Sequence, residues 1–213
     1  MLLQSSTQVI ATERKDYPEW HHGRSKYAVW YIEIDQPEII TYVDEIQAQF
    51  ADLLIHPNQR QYHISLFICG FLTQLTTIWD DDFSIKQLEQ HITLLNQLQL
   101  HSFELNISHI DSFSSALFLQ VNDPHLQLQQ IRQQFKQIHN EIAAPQQYCP
   151  HVTLGLYRQF WNSKLILERI QHYHFQPFKI QVNQLTFGYY HAQTLQGYLY
   201  PYHRIQLGSL CCN

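Results

Sequence analysis

The chain has 213 residues, 45% of them hydrophobic and only 15% charged, with 13 Lys plus Arg against 18 Asp plus Glu. That length supports one domain, or one domain built from two similar lobes. The formal net charge of −5 argues against a surface built to track a long nucleic-acid backbone, while leaving room for a small phosphate site.

Residues 1–26 are polar and read as an N-terminal arm, with residues 27–213 as the folded body. YAVWYIEI, from Tyr27, alternates aromatic and β-branched residues and predicts a strand ending near Asp35. Pro37 suits the first turn of a helix to about Leu54, with Val43, Ile46, Phe50, Leu53 and Leu54 on its apolar face. YHISLFICG predicts a second strand closed by Gly70, followed by a loop from Leu72 to Asp82. Asp82 is a candidate cap for a helix from Phe83 to Leu98. FELNISHIDSF predicts a strand with Phe103, Leu105, Ile107 and Ile110 inward, turning at Ser114–Ser115 into ALFLQVN. A helix from Trp161 to Tyr173, a strand over FKIQVNQLTFG and a last strand from Gly197 to Leu207 complete the order.

The chain repeats itself. AVWYIEID at 28–35 answers ALFLQVND at 116–123, and each is followed by a proline, a helical stretch and a strand opening on His-x-Ser/Thr-Leu. The motif-bearing segments are 28–70 and 116–158, and their histidines, His63 and His151, lie 88 positions apart. The expected fold is α+β, two pseudo-symmetric β-α-β lobes with antiparallel sheets flanking a central cleft. No GxGxxG or GxxxxGK[ST] phosphate loop is present, which argues against dinucleotide and P-loop chemistry.

His63-Ile64-Ser65-Leu66 and His151-Val152-Thr153-Leu154 carry the chemistry. Alternation puts His63 with Ser65, and His151 with Thr153, on one face of each strand. Two imidazoles flanking a phosphorus centre divide the proton transfers, since their ordinary pKa of about 6.5 suits both base and acid. The hydroxyls of Ser65 and Thr153 suit the non-bridging oxygens, where charge develops. One His-x-Thr in a strand is as readily a packing feature; two at equivalent positions of a repeat are not easily so explained. Phe67 and Tyr157, by strand parity, return to the same side as candidate base platforms. Tyr189 and Tyr190 follow the late strand and border the cleft in this reading. Arg158 is a candidate phosphate contact, and Arg24 and Lys26 sit just before the first strand.

The double motif resembles the 2H phosphoesterase superfamily, in its 2'-5' RNA ligase and RNA 2',3'-cyclic phosphodiesterase branch. Ile68, Cys69 and Gly70 match the apolar pair and glycine that often follow the first signature, and the similarity extends from Tyr27 to Leu207. The resemblance implies His63 and His151 as general acid and base, Ser65 and Thr153 as phosphate binders, and no metal or other cofactor. It implies hydrolysis of a 2',3'-cyclic phosphate to a 2'-phosphate, with His151 activating water and His63 protonating the leaving 3'-oxygen. Cleavage or reversible joining of 2'-5' linkages, and a non-catalytic module for nucleotides or RNA ends, are the alternatives. Two departures stand out: Ser65 replaces the commoner Thr, and Leu156 stands where relatives place a basic residue, Arg158 coming two positions later.

The expected partner is a small nucleotide or an RNA terminus, bound by a monomer, with no long nucleic-acid tract and no membrane. Met1 to Lys15 lacks the basic start and apolar core of a signal peptide, and no apolar run reaches the roughly 18 residues of a membrane span. Cys69, Cys149, Cys211 and Cys212 lack a paired ligand spacing, and the adjacent terminal pair is a poor disulfide scaffold, so a reduced cytoplasmic setting is expected. His21 with His22, and His172 with His174, are read as ordinary surface or packing residues.

Overall fold

The computed structural model describes residues 2–4, 7–74, 76–142 and 147–209; Cys211 and Cys212 lie outside them. In chain order the elements are β1 (Gln8–Val9), α1 (Pro18–His21), β2 (Lys26–Glu33), α2 (Pro37–Gln49), β3 (His63–Thr73), β4 (Asp82–Ser84) and α3 (Ile85–Leu98). There follow β5 (Phe103–Ser112), β6 (Ala116–Asn122), α4 (Gln127–Phe135), β7 (His151–Leu156), β8 (Trp161–Asn162), α5 (Ser163–His172), β9 (Phe178–Val182), β10 (Gln184–His191) and β11 (Tyr200–Gln206).

The fold is α+β around a continuous sheet ordered β11-β10-β2-β3-β7-β6-β5-β9, antiparallel along this path, with β4 parallel to β3. Its halves meet where β3 pairs with β7, so the two motif strands are immediate neighbours. FKIQVNQLTFG is not one strand: it breaks at Asn183 into β9 and β10, which lie toward opposite ends of the sheet. The β10–β11 hairpin thereby returns to the first half of the chain and pairs with β2.

Local chemistry explains the elements. Pro37 occupies the first turn of α2, where a missing N–H costs nothing, and Val43 and Ile46 are buried on its inner face. α3 starts with a capping box: the Ser84 hydroxyl accepts from Gln87 N while the Gln87 side chain accepts from Ser84 N. Asp82 therefore does not cap this helix; its carboxylate accepts from Ile78 N and Trp79 N and pairs with Arg24. Phe103, Leu105, Ile107 and Ile110 of β5 are buried as the alternation implies. Gly70 does not end β3 but sits inside it at φ +105°, where a Cβ would lie 2.2 Å from the Asp81 carbonyl oxygen. Among the described residues, no helix is long and apolar enough to cross a membrane.

Two bulges turn the fold toward its site. Tyr31 pairs with Ser65 and Trp30 with Phe67, leaving Leu66 as an extra residue on β3. Phe118 pairs with Thr153 and Leu117 with Gly155, leaving Leu154 extra on β7. The helices of each half serve the bulge of the other. From α4, Arg132 donates to the Leu66 carbonyl at 2.5 Å, while its ion-pair partner Glu141 accepts from Ile68 N at 3.2 Å. From α2, Gln47 donates to the Leu154 carbonyl at 2.5 Å, and Gln196 accepts from Leu156 N at 3.2 Å. Backbone groups that the bulges withdraw from the ladder thus find partners, as buried polar groups must.

Candidate active site

The register of the seam fixes the site. Ile64 opposes Val152, and both side chains are fully buried in the core. In an antiparallel pair the neighbours of these residues project to the other face, His63 beside Thr153 and Ser65 beside His151. Each motif's imidazole therefore lies against the other motif's hydroxyl residue, with approximate two-fold symmetry.

The two imidazoles are held alike. Nδ1 of His63 donates to the Gln61 carbonyl, and Nδ1 of His151 to the Cys149 carbonyl, each at 2.8 Å. Each bond fixes one tautomer and leaves Nε2 as the nitrogen able to accept or deliver a proton. Tyr31 meets the His63 ring edge-on, as Phe118 meets that of His151. Burial lowers the His63 pKa to about 4, the Gln61 carbonyl opposing the shift and the charges of Arg60 and His151 adding to it. Burial also lowers the His151 pKa, and the Cys149 carbonyl opposes it. Desolvation disfavours the imidazolium at both positions.

A cavity of about 370 Å³ opens on this face, and His63, Ser65 and Thr153 line it together with Arg60, Gln61, Leu156, Tyr190 and Gln196. Lys15, Tyr17 and Trp20 of the N-terminal segment also border it. Arg60 is its inner cation. The guanidinium lies 3.9 Å from the centre of the Tyr190 ring, and its Nε donates to the Gly197 carbonyl at 2.9 Å. Burial lowers its pKa, opposed by Tyr190.

Several expected contacts lie elsewhere, and those of Phe67 and Tyr157 do so for one physical reason. Each bulge inserts a residue and reverses the strand parity that follows it. Phe67 consequently turns into the core against Phe135 and His91, and Ile68 takes the site side. Tyr157 is fully buried, its hydroxyl 2.6 Å from that of Ser112, whereas Leu156 faces the cavity. Tyr189 stacks on Tyr200 away from the cavity, and Tyr190 lines it. Arg158 is exposed beside Trp161. Arg24 pairs with Asp81 and Asp82, and Lys26 lies over the Tyr189 ring.

Arg60 escaped the sequence reading because HPNQRQ looks like a connector. Its position three residues before His63, on the extended approach to the motif strand, was the available signal. The bordering residues 15–20 carry no such signal. Among the described residues, no three His, Cys, Asp or Glu side chains form a metal-binding group.

A sheet seam that pairs two His-x-Ser/Thr strands, with neither Nε2 hydrogen-bonded among the described residues, offers two imidazoles and two hydroxyls on one face, a set able to serve phosphoester chemistry. The model of the 2'-5' RNA ligase superfamily matches residues 35–194, and the chain belongs to that family, within the 2H phosphoesterases. Among solved structures, the chain resembles apo LigT of E. coli at 16% identity, covering 87% of this chain and 99% of LigT with a TM-score of 0.57. TT0787 of Thermus thermophilus matches at 11% identity over 86% of this chain and 99% of its own, with a TM-score of 0.56. LigT complexed with 3'-AMP matches at 16% identity over 86% of this chain and 98% of its own, with a TM-score of 0.54. These likenesses show a shared fold. No curated protein matches the chain.

Proposed function

We propose that this protein hydrolyses 2',3'-cyclic phosphate ends of RNA or small nucleotides to 2'-phosphates. The observation that carries the reading is the symmetric seam, in which each imidazole, fixed through Nδ1, lies beside the hydroxyl residue of the other motif. Membership of a family named for 2'-5' RNA ligation and the likeness to LigT, whose complexes include 3'-AMP and phosphate, support a nucleotide substrate.

In this reading the cyclic phosphate sits between His63 and His151. Ser65 and Thr153 donate to its non-bridging oxygens, and the nearby Arg60 offsets its negative charge. Water attacks phosphorus and gives its proton to the Nε2 of His151. The bond from phosphorus to the 3'-oxygen breaks, and His63 protonates that oxygen. The two imidazoles finish with exchanged protonation states and reset through solvent. His63 must be charged to play the acid, yet burial and Arg60 favour its neutral form in the free protein. The anionic substrate supplies the missing stabilisation, which couples the acid's readiness to phosphate binding.

A second reading follows from the family: a 5'-hydroxyl takes the place of water and a 2'-5' linkage forms or, in reverse, breaks. The test is product analysis in the presence of EDTA, with a 2',3'-cyclic-phosphate oligonucleotide and a 2'-5'-linked one as substrates. Conversion of the first to a 2'-phosphate supports the leading reading, and cleavage of the second supports the alternative. Binding without turnover of either identifies a non-catalytic module and sinks both enzymatic readings.

A further inference from the structure

The family match begins at residue 35, yet part of the cavity wall comes from before it. Residues 7–25 are anchored across the body. Val9 pairs with Trp161 and is fully buried, and Thr12 N donates to the Tyr157 carbonyl at 3.0 Å. Arg14 donates to the His56 carbonyl. The α1 turn is clamped by Arg24, which bonds the carbonyls of Trp20 and His21 while gripping Asp81 and Asp82. His21, buried beneath it, bridges Asp16 and Gly23 N. This anchoring sets Tyr17 and Trp20, each 36% exposed, at the edge of the catalytic cavity.

The rings are continuous with the site. Arg60 lies over Tyr190, Tyr190 is 5.5 Å from Tyr27, and Tyr27 is 5.0 Å from Trp20, measured between ring centres. An aromatic row therefore runs from the inner cation beside His63 out to the arm. Trp20 packs one side on Tyr27 and Phe71 while remaining part of the cavity lining. Lys15 also lines the cavity, its ammonium 5.0 Å from the centre of the Tyr17 ring and 2.6 Å from the Glu13 carboxylate, the pairing that an incoming phosphate would exchange. Aromatic faces with a cation beside them suit a nucleobase and its phosphate.

We infer that the N-terminal segment forms a second subsite, in which Trp20 and Tyr17 receive the base preceding the terminal nucleotide and Lys15 meets the connecting phosphate. The inference rests on the proposed phosphodiesterase reading and adds that the substrate is an oligonucleotide end in preference to a cyclic mononucleotide.

The test compares a trinucleotide ending in a 2',3'-cyclic phosphate with cytidine 2',3'-cyclic phosphate, for wild type, Trp20→Ala and Trp20→Phe. Wild type is expected to favour the trinucleotide in kcat/KM. Trp20→Ala should lose about tenfold on the trinucleotide, mainly through KM, and much less on the mononucleotide, with Trp20→Phe restoring most of the difference. Equal losses on both substrates, or none on either, overturn the subsite. Calorimetric binding of the matching trinucleotide and mononucleotide 3'-phosphates reads the subsite without turnover. A preference for the trinucleotide 3'-phosphate that Trp20→Ala removes upholds the subsite even if neither cyclic substrate is hydrolysed, an outcome that would sink only the phosphodiesterase reading.

Discussion

Leu66 and Leu154, 88 positions apart, are structural counterparts: each is the extra residue of a bulge, and each carbonyl accepts a hydrogen bond from a helix of the opposite half. The supports differ in kind. The first bulge rests on a buried ion pair, Arg132 with Glu141, and the second on two neutral glutamine side chains.

That difference predicts unequal sensitivity. Arg132→Met leaves Glu141 buried without its partner and should cost about 3–5 kcal/mol of stability. Gln47→Ala removes one neutral donor and should cost about 1 kcal/mol, rising toward about 3 if the Leu154 carbonyl finds no water. Urea unfolding of both variants is the measurement; equal midpoints would show that the ion pair is not the more critical support.

Replacing either histidine of the seam should remove proton transfer without disturbing the core, because both side chains project to the face opposite Ile64 and Val152. His63→Ala and His151→Ala should each lower turnover about 10²- to 10⁴-fold while retaining the wild-type circular dichroism and unfolding midpoint. Loss of the cooperative unfolding transition in either variant would instead mark that histidine as structural.

Arg60 should act on both substrate binding and His63. Arg60→Met removes a positive charge from the neighbourhood of the imidazole, so the His63 pKa should rise in the free protein while the KM for the cyclic phosphate increases. Arg60→Lys keeps the charge but loses the planar face that lies on Tyr190, and should recover only part of the affinity. Imidazole NMR titrations with and without inorganic phosphate provide the check. Phosphate should raise the His63 pKa in the wild type, and an unchanged value would argue against its role as the acid.

Acidification should weaken the fold before most carboxylates titrate. Burial lowers the pKa of His63 to about 4 and that of His91 to about 3, and it lowers those of His139 and His151 as well. In the unfolded chain these imidazoles titrate at about 6.5. Below that pH the unfolded chain binds protons that the folded chain refuses, so stability is full above about 6.5 and declines as pH falls toward about 4. A urea midpoint that stays level from about pH 7 to about pH 5 would contradict this. For the same reason, kcat/KM, which reports the free enzyme, should peak on the acid side of about 6.5.

The repeat was legible, but its alignment was one residue out at the first strand. Matching 28–35 with 116–123 equates Trp30 with Phe118, whereas the sheet register equates Trp30 with Leu117 and Tyr31 with Phe118. A one-residue slip reverses every side chain, so Trp30 belongs to the core while Phe118 borders His151. Strand parity likewise puts Tyr157 and Phe67 on the site face although both lie in the core, since alternation carries no mark of an inserted residue.

The sequence by itself determined the local choices: which stretches alternate, that Pro37 starts a helix, and that two His-x-Ser/Thr strands recur in one order. These follow from side-chain chemistry acting over a few residues. Only the tertiary structure decided that the two motif strands are direct neighbours, that Arg60 stands beside His63, and that Trp20 borders the cavity. Those relationships depend on register, bulges and strand exchange between the halves, which are set by packing among residues far apart in the chain.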